Sequence, residues 1–328
     1  MAASPSFERV PLCPVTGQPA VRRVQWVTAR LLTDLWRIEF GADVRPSFAG
    51  VDRFGLWESP TGLYFFDPPC AGDGAFYGDM SAWQKRQRLI PESALRQEFG
   101  IAAKAIPAGA PVLDVGCGVG VFRGVVPHAD YTGIDPHLAK ASAIDGLRAE
   151  TLSAHLAERA GYYDAVCCFQ VLEHVRDPRR LFAEMVLAAK PNGLLCVGVP
   201  HVPSALSRIP NYLINAPPHH LSWWTEAALV ELVRGAGAVF ESVQRAPWGR
   251  GDSLLYWIER CSPLKCRDVF YRGAVNWHAA ALAGFALGTV ANAIFGPPKR
   301  TVDEGAGLVM FARAPSASDS ITRPGSGA

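Results

Sequence analysis

Four short stretches of this chain carry residue types whose spacing could do chemistry. The first is Val112-Leu113-Asp114-Val115-Gly116-Cys117-Gly118-Val119-Gly120, an apolar run that breaks into glycines at alternating positions. Glycine lacks a Cβ, accepts positive φ and lets a ligand lie against bare backbone. Amide N–H groups in such a turn hold polar or anionic atoms. The second is Gly133-Ile134-Asp135, whose carboxylate follows Gly120 by 15 positions. A carboxylate there suits paired hydrogen bonds to two ribose hydroxyls and repels a 2′-phosphate. The third is Phe169-Gln170-Val171-Leu172-Glu173-His174, where an apolar run turns polar. These three describe a pocket for an adenosine-type ligand. The fourth, His219-His220 followed by Trp223 and Trp224, adds two imidazoles and two large rings. Free imidazole titrates near neutrality, so His174 and His220 are the candidate general bases. The tryptophans are candidates for stacking on a planar substrate.

The elements that must position these groups alternate as in an α/β sheet. Strands are expected over 112–115, 131–135, 163–169, 194–199 and 239–243, with a last strand over 307–312. Asp177-Pro178 marks a helix start, Asp as cap and Pro at the first helical position. That helix is expected to stop at Pro191-Asn192-Gly193. The expected fold is a Rossmann-like, doubly wound sheet with a final antiparallel strand. Ligands in such sheets bind outside the C-terminal ends of the strands. The glycine turn, Asp135 and 170–174 all fall there.

The chain divides into an N-terminal extension (1–106), a ligand-binding core (107–250), a helical insertion (251–305), the last strand (306–314) and a tail (315–328) expected to be disordered. The extension holds two similar turns, Cys13-Pro14-Val15-Thr16-Gly17 and Glu58-Ser59-Pro60-Thr61-Gly62. They resemble the knuckles of a zinc ribbon. Thr16, Glu58 and Thr61 stand at three of the four ligand positions, so no metal is expected. A helix-like run over 81–90 carries Lys85, Arg86 and Arg88, expected to form a solvated basic face; the alternative is that Tyr77 or Arg86 helps close the pocket. A second helix is expected over 92–105 and helical material over 137–144. The apolar stretch 274–295 has the length of a membrane span. Asn276, His278 and Asn292 interrupt it, and spanning would separate the last strand from its sheet. It is therefore expected to be a buried cap over the cleft or an interfacial helix touching a membrane surface.

Composition narrows the classes further. The formal charge of +2 over 328 residues gives no broad field for nucleic acid. Eight cysteines without a Cys-x-x-Cys pair fit buried, reduced thiols of a cytoplasmic protein. The first ten residues contain no apolar run of the secretory kind. Oligomeric state is not legible.

Asp-Val-Gly-Cys-Gly-x-Gly-x-Phe, Gly-Ile-Asp-Pro and Tyr-Asp-x-Val-x-x-x-x-Val-Leu-Glu-His-Val-x-Asp-Pro occur in this order from Asp114 to Pro178. In sequence and spacing they resemble the successive motifs of the class I S-adenosylmethionine-dependent methyltransferases. The resemblance implies that Asp114 and the turn of Gly116, Cys117, Gly118 and Gly120 cradle the methionine part of the cofactor. It implies that Asp135 holds the ribose, and that Phe169, Gln170 and Leu172 line the wall beside the sulfonium. The adenine-contacting acid of that family has only Glu150 and Glu158 as weak counterparts. The knuckled extension, Phe76-Tyr77-Gly78 and Pro217-Pro218-His219-His220-Leu221 resemble a bacterial subgroup acting on sugars, polyketides or quinone-like molecules. On that likeness Tyr77, His219, Trp223 and Trp224 are the substrate-side candidates. The expected reaction is methyl transfer to a small-molecule acceptor, soluble or lipid-linked, at a hydroxyl oxygen. Carbon or nitrogen transfer is the alternative. A nicotinamide-dependent oxidoreductase would place a third glycine at 121, where Val121 stands. A non-catalytic protein of the same fold would be favoured by a broken glycine turn or a missing ribose acid, and both features are present.

Overall fold

The computed structural model describes residues 9–86, 96–138, 146–299 and 305–317. Arg88, the beginning of the helix expected at 92, nearly all of 137–144 and the tail beyond 317 lie outside these residues. So do the side chains of Lys85 and Arg86.

The extension forms β1 (Arg22–Thr28), α1 (Ala29–Phe40), β2 (Arg53–Glu58), β3 (Tyr64–Asp67), α2 (Gly74–Arg86) and α3 (Gln97–Ala103). Helix α1 starts at a Thr28 cap, whose side chain accepts from Leu31 N, and ends at Gly41 in the left-handed conformation. Its buried Leu32, Leu35, Trp36 and Phe40 share a core with Phe54, Phe66 and Phe76.

The core and insertion follow as β4 (Pro111–Val115), β5 (Asp130–Ile134), β6 (Leu147–Arg148), α4 (Leu152–Arg159), β7 (Tyr163–Phe169), α5 (Pro178–Ala188), β8 (Ala189–Pro200), β9 (Ser222–Trp223), α6 (Glu226–Gly235), β10 (Val239–Ala246), α7 (Ser253–Cys261), α8 (Val275–Phe295) and β11 (Gly307–Arg313). The large sheet has the order β10-β11-β8-β7-β4-β5-β6. β8, β7, β4, β5 and β6 run parallel, and β11 is antiparallel to both its neighbours. Strands covered on both faces need apolar side chains throughout, hence the unbroken runs in β7 and β8. The expected doubly wound sheet with a final antiparallel strand is the fold observed. Strand order reverses between β4 and β7, the crevice where ligands bind in open α/β sheets.

Local signals set several boundaries. Asp177 caps α5 by accepting from Arg180 N at 2.9 Å, with Pro178 in the first turn. Thr225 caps α6 in the same way from Ala228 N. Helix α5 ends at Ala188, earlier than expected, because β8 already begins at Ala189 and carries Pro191-Asn192-Gly193 within it.

Three expectations about the outer parts are corrected. The division at residue 106 cuts through a sheet: β9 pairs with β3, giving a four-stranded order β1-β2-β3-β9. The two turns of the extension have no ribbon-like ligand set. Cys13 Sγ accepts from Val15 N and Thr16 N, both at 3.4 Å, and Ser59 Oγ accepts from Leu63 N at 3.1 Å. Ser59 is therefore the counterpart of Cys13, while Glu58 pairs with Arg22 at 2.7 Å. Each turn satisfies its amides with its own side chain. Finally, α8 is not a buried cap. Gly284 and Gly288 press on α7, where an added Cβ at Gly288 would lie 2.6 Å from Ile258 N. Leu282, Phe285, Leu287, Val290 and Ile294 are all more than half exposed. Among the described residues α8 is the one helix long and apolar enough to cross a membrane.

Candidate active site

The glycine turn at the end of β4 uses its glycines for three purposes. All three have positive φ: 73° at Gly116, 53° at Gly118 and 76° at Gly120. A Cβ on Gly116 would lie 2.4 Å from Val171 Cγ2, so this glycine lets the turn after β7 approach. A Cβ on Gly120 would meet Leu147 at 2.9 Å. Gly118 has nothing within 4 Å of that position and presents bare backbone to open space. The cradle for a ligand is therefore the Gly118 side of the turn.

Asp135 is tied to that side. Its Oδ2 accepts from Gly118 N at 3.1 Å and its Oδ1 from His137 N at 2.8 Å. Each carboxylate oxygen accepts more than one bond, so both keep capacity for a pair of ribose hydroxyls. Asp114 is buried under the turn and its Oδ2 accepts from Tyr131 OH at 2.7 Å. Its observed role is support of the turn from below. Burial pushes this carboxyl up to about 7, and Tyr131 offsets part of the effect. Burial, with Asp114 and Asp135 nearby, likewise pushes the Cys117 thiol up to about 12, so it stays protonated.

The turn after β7 forms the opposite wall. Gln170 adopts φ 56°, uncommon for a residue with a side chain and a place where functional sites store strain. Its Nε2 donates to Glu98 Oε1 at 3.1 Å. The side chains of Phe169 and Leu172 lie behind the wall. The Phe169 ring packs between Phe99 and Phe122, and Leu172 is fully buried, leaving Gln170 and backbone to line the wall.

Beyond this turn three histidines converge. His174 lies 4.5 Å from His219 and 4.9 Å from His220, ring centre to ring centre, and His219 stacks on His220 at 4.6 Å. Burial pulls His174 down to about 4 and His219 and His220 well below the usual range, so all three are neutral at physiological pH. Tyr77 on α2 sits between the two halves, its ring 5.9 Å from His137 and 6.1 Å from both His174 and His219. Burial raises its hydroxyl's pKa, so it is a neutral donor. Long-range bonds hold the histidine loop in place. Leu221 N donates to Glu173 O at 2.7 Å, Gly72 N to Pro218 O at 2.8 Å and Trp36 Nε1 to Pro217 O at 2.8 Å.

The structure thus brings together Asp135, Gly118, Gln170, His174, His219, His220 and Tyr77. It does not bring Trp223 and Trp224 to the cleft, because both are core residues, 3% and 0% exposed. Trp223 donates to Asn215 O at 2.7 Å and packs on Tyr64 and Phe270. As neighbours on an extended segment the two rings point to opposite faces, Trp223 into the core with Phe54 and Phe66 and Trp224 into the core with Leu229 and Met310. Glu150 pairs with His155 at 2.8 Å. Sequence reasoning missed Arg96, Glu98 and Asn215. Arg96 donates to Phe169 O at 3.4 Å and places a positive charge near the site. A charged pair opening a short helix, Arg96 before Glu98, carried no readable periodicity. Asn215, a single amide in an apolar run, takes its meaning only from the fold.

A model of the methyltransferase domain family matches residues 82–243. A ubiquinone biosynthesis O-methyltransferase from Xanthomonas axonopodis pv. citri is 32% identical over 183 residues, covering 47% of this chain and 74% of that protein. Another, from Xanthomonas oryzae pv. oryzae, is 30% identical over 176 residues, 45% of this chain and 72% of that protein. Among solved structures, a 1,6-didemethyltoxoflavin-N1-methyltransferase from Burkholderia thailandensis is 17% identical, with a TM-score of 0.47, covering 77% of this chain and 95% of that one.

Proposed function

This chain belongs to the class I S-adenosylmethionine-dependent methyltransferases, and from that premise we propose that it methylates a hydroxyl oxygen on a small, largely apolar molecule. The observation that carries the reading is the histidine cluster beside the Gln170 turn. Three imidazoles converge there, neutral at physiological pH, with the Tyr77 ring 6.1 Å from His174, and this supports a proton acceptor beside the acceptor's hydroxyl. A hydroxyl nucleophile gains from such a base, whereas an activated carbon or an amine needs it less.

S-adenosylmethionine supplies a methyl group already activated on a sulfonium. The residues present fit it: a bare Gly118 backbone, an Asp135 carboxylate with spare lone pairs, and a Gln170 wall. The protein's remaining work is to align the acceptor and exclude water. Tyr77 closes the cleft from the extension side. His174 or His220 accepts the hydroxyl proton at a ring nitrogen, and His219 packs against both. The names of the Xanthomonas relatives favour a phenolic acceptor of the quinone-precursor type. The exposed apolar side of α8 supports work at a membrane surface, where such molecules reside. Eight unpaired cysteines support a reducing, cytoplasmic setting.

The test supplies methyl-labelled S-adenosylmethionine with matched acceptors: a catechol, the corresponding aminophenol blocked at oxygen, and a resorcinol able to react at carbon. Label on the catechol oxygen is expected. Label only on nitrogen or carbon overturns the O-methyl reading.

A further inference from the structure

We propose that His174, His219 and His220, with Glu173, form a binding site for a divalent first-row cation of the zinc type. The three rings each offer a nitrogen, and these lie within 4.8 Å of one another. Their tautomers follow from their partners. His174 Nδ1 faces His219 O at 2.7 Å, His219 Nδ1 faces Ile214 O at 3.1 Å and His220 Nδ1 faces Asn215 Oδ1 at 3.1 Å. A carbonyl oxygen only accepts, so each Nδ1 carries the hydrogen and donates it. Asn215 cannot be turned round, because its Nδ2 already donates to Leu206 O at 3.1 Å. Each neutral ring then carries its lone pair on Nε2; at His174 the Gln170 backbone also lies near the ring, and a cation would have to displace that contact. Metal-binding histidines are oriented in this way, the second nitrogen donating to a carbonyl or carboxylate.

An independent observation points to the same place. Glu173 is 0% exposed, and neither carboxylate oxygen has a hydrogen-bond partner. Its own backbone amide approaches without forming a well-aligned bond. A buried carboxyl group with no partner is costly, and a cation at the cluster would supply that partner. Oε1 already lies 3.9 Å from His174 Nε2.

The donor set selects the metal. Three imidazoles and one carboxylate suit zinc and its neighbours, whereas magnesium and calcium prefer oxygen. Tetrahedral zinc with bonds of about 2.1 Å sets its nitrogens about 3.4 Å apart, so nitrogens up to 4.8 Å apart need to close by up to about 1.4 Å. The cation's role, unlike its binding, rests on the O-methyl reading. A hydroxyl acceptor would reach the ion by displacing Glu173 from the fourth position, and the freed carboxylate would take the hydroxyl proton. The oxyanion would then bond the methyl carbon as the carbon–sulfur bond breaks, its electron pair returning to sulfur. In the metal-bound protein the histidines would be ligands and Glu173 the base, in place of the imidazole that serves without metal.

The experiment uses the full chain, stripped with a chelator and titrated with cobalt(II) and with zinc(II). Expected are one equivalent of uptake, a cobalt visible band without thiolate charge transfer, and at least 100-fold weaker binding in the His219→Ala/His220→Ala variant. Glu173→Gln, the milder change, is expected to weaken binding about tenfold. S-adenosylhomocysteine binding by the variants verifies that they fold. No saturable uptake, a thiolate spectrum, or unchanged affinity in both variants overturns the site. Catechol methylation that persists in chelator, without uptake, overturns the site and leaves the O-methyl reading standing. Uptake without O-methylation does the reverse.

Discussion

The cofactor-side wall of the cleft comes from the turns after β4 and β5, two neighbouring strands, and its key contact runs from Gly118 N to Asp135. The wall proposed for the acceptor takes Tyr77 from α2, His174 from the turn after β7 and His219–His220 from the loop before β9. Backbone chirality shapes the first wall: glycines at positive φ, with a strand pair that sets their distance from Asp135. Long-range packing shapes the second. Its histidines rest on a sheet that joins the N-terminal extension to Ser222–Trp223 and on the insertion, through Phe270 and Asn211 to Arg272. Cofactor capture should therefore be locally robust, and acceptor handling should depend on residues that touch no ligand.

The largest effect that could break this contrast is expected for Trp223→Ala. The ring anchors the loop through Asn215 and packs on Tyr64 and Phe270. Its loss should cost about 3–5 kcal/mol of unfolding free energy in a denaturant titration. S-adenosylhomocysteine affinity of the folded fraction should stay within about threefold. A loss of cofactor affinity in step with stability would merge the two walls into one cooperative unit.

Asp114→Asn sharpens the cofactor side. The buried Asp114 carboxyl sits at about 7, above its ordinary range near 3.8. The folded protein holds that proton where the unfolded chain has lost it, so stability falls as pH rises from about 4 to 7. Below that window the group costs nothing; above it the penalty is constant. The amide still accepts from Tyr131 and cannot ionise. Relative to the variant, the wild type should lose up to about 4 kcal/mol across the window. Parallel stability curves for the two proteins would show that Asp114 is not held neutral by burial.

The same contrast explains how much was legible in the sequence. Val112 to Gly120, Asp135 and Asp177-Pro178 announce themselves because strand, turn and cap chemistry act over a few residues. The sheet, its antiparallel last strand and the cofactor wall follow from them. Trp223 and Trp224 were misplaced because a tryptophan beside histidines reads alike as a stacking platform or as core. Pairing of β9 with β3 decides between these, and that contact spans the chain. Apolar composition alone does not separate a buried cap from an interfacial helix at α8. Gly284 and Gly288 show that only one narrow stripe is buried, against α7. The three histidines were each visible, but their convergence was not, since His174 and His219 meet only through the loop bonded to Glu173.

The most direct test of the central claim is a calorimetric titration of wild type and Asp135→Ala with S-adenosylhomocysteine. The account predicts one saturable site in the wild type, weakened in the variant by about 1.5–3 kcal/mol through loss of charge-assisted hydrogen bonds. No binding by the wild type, or equal binding by both proteins, would contradict it.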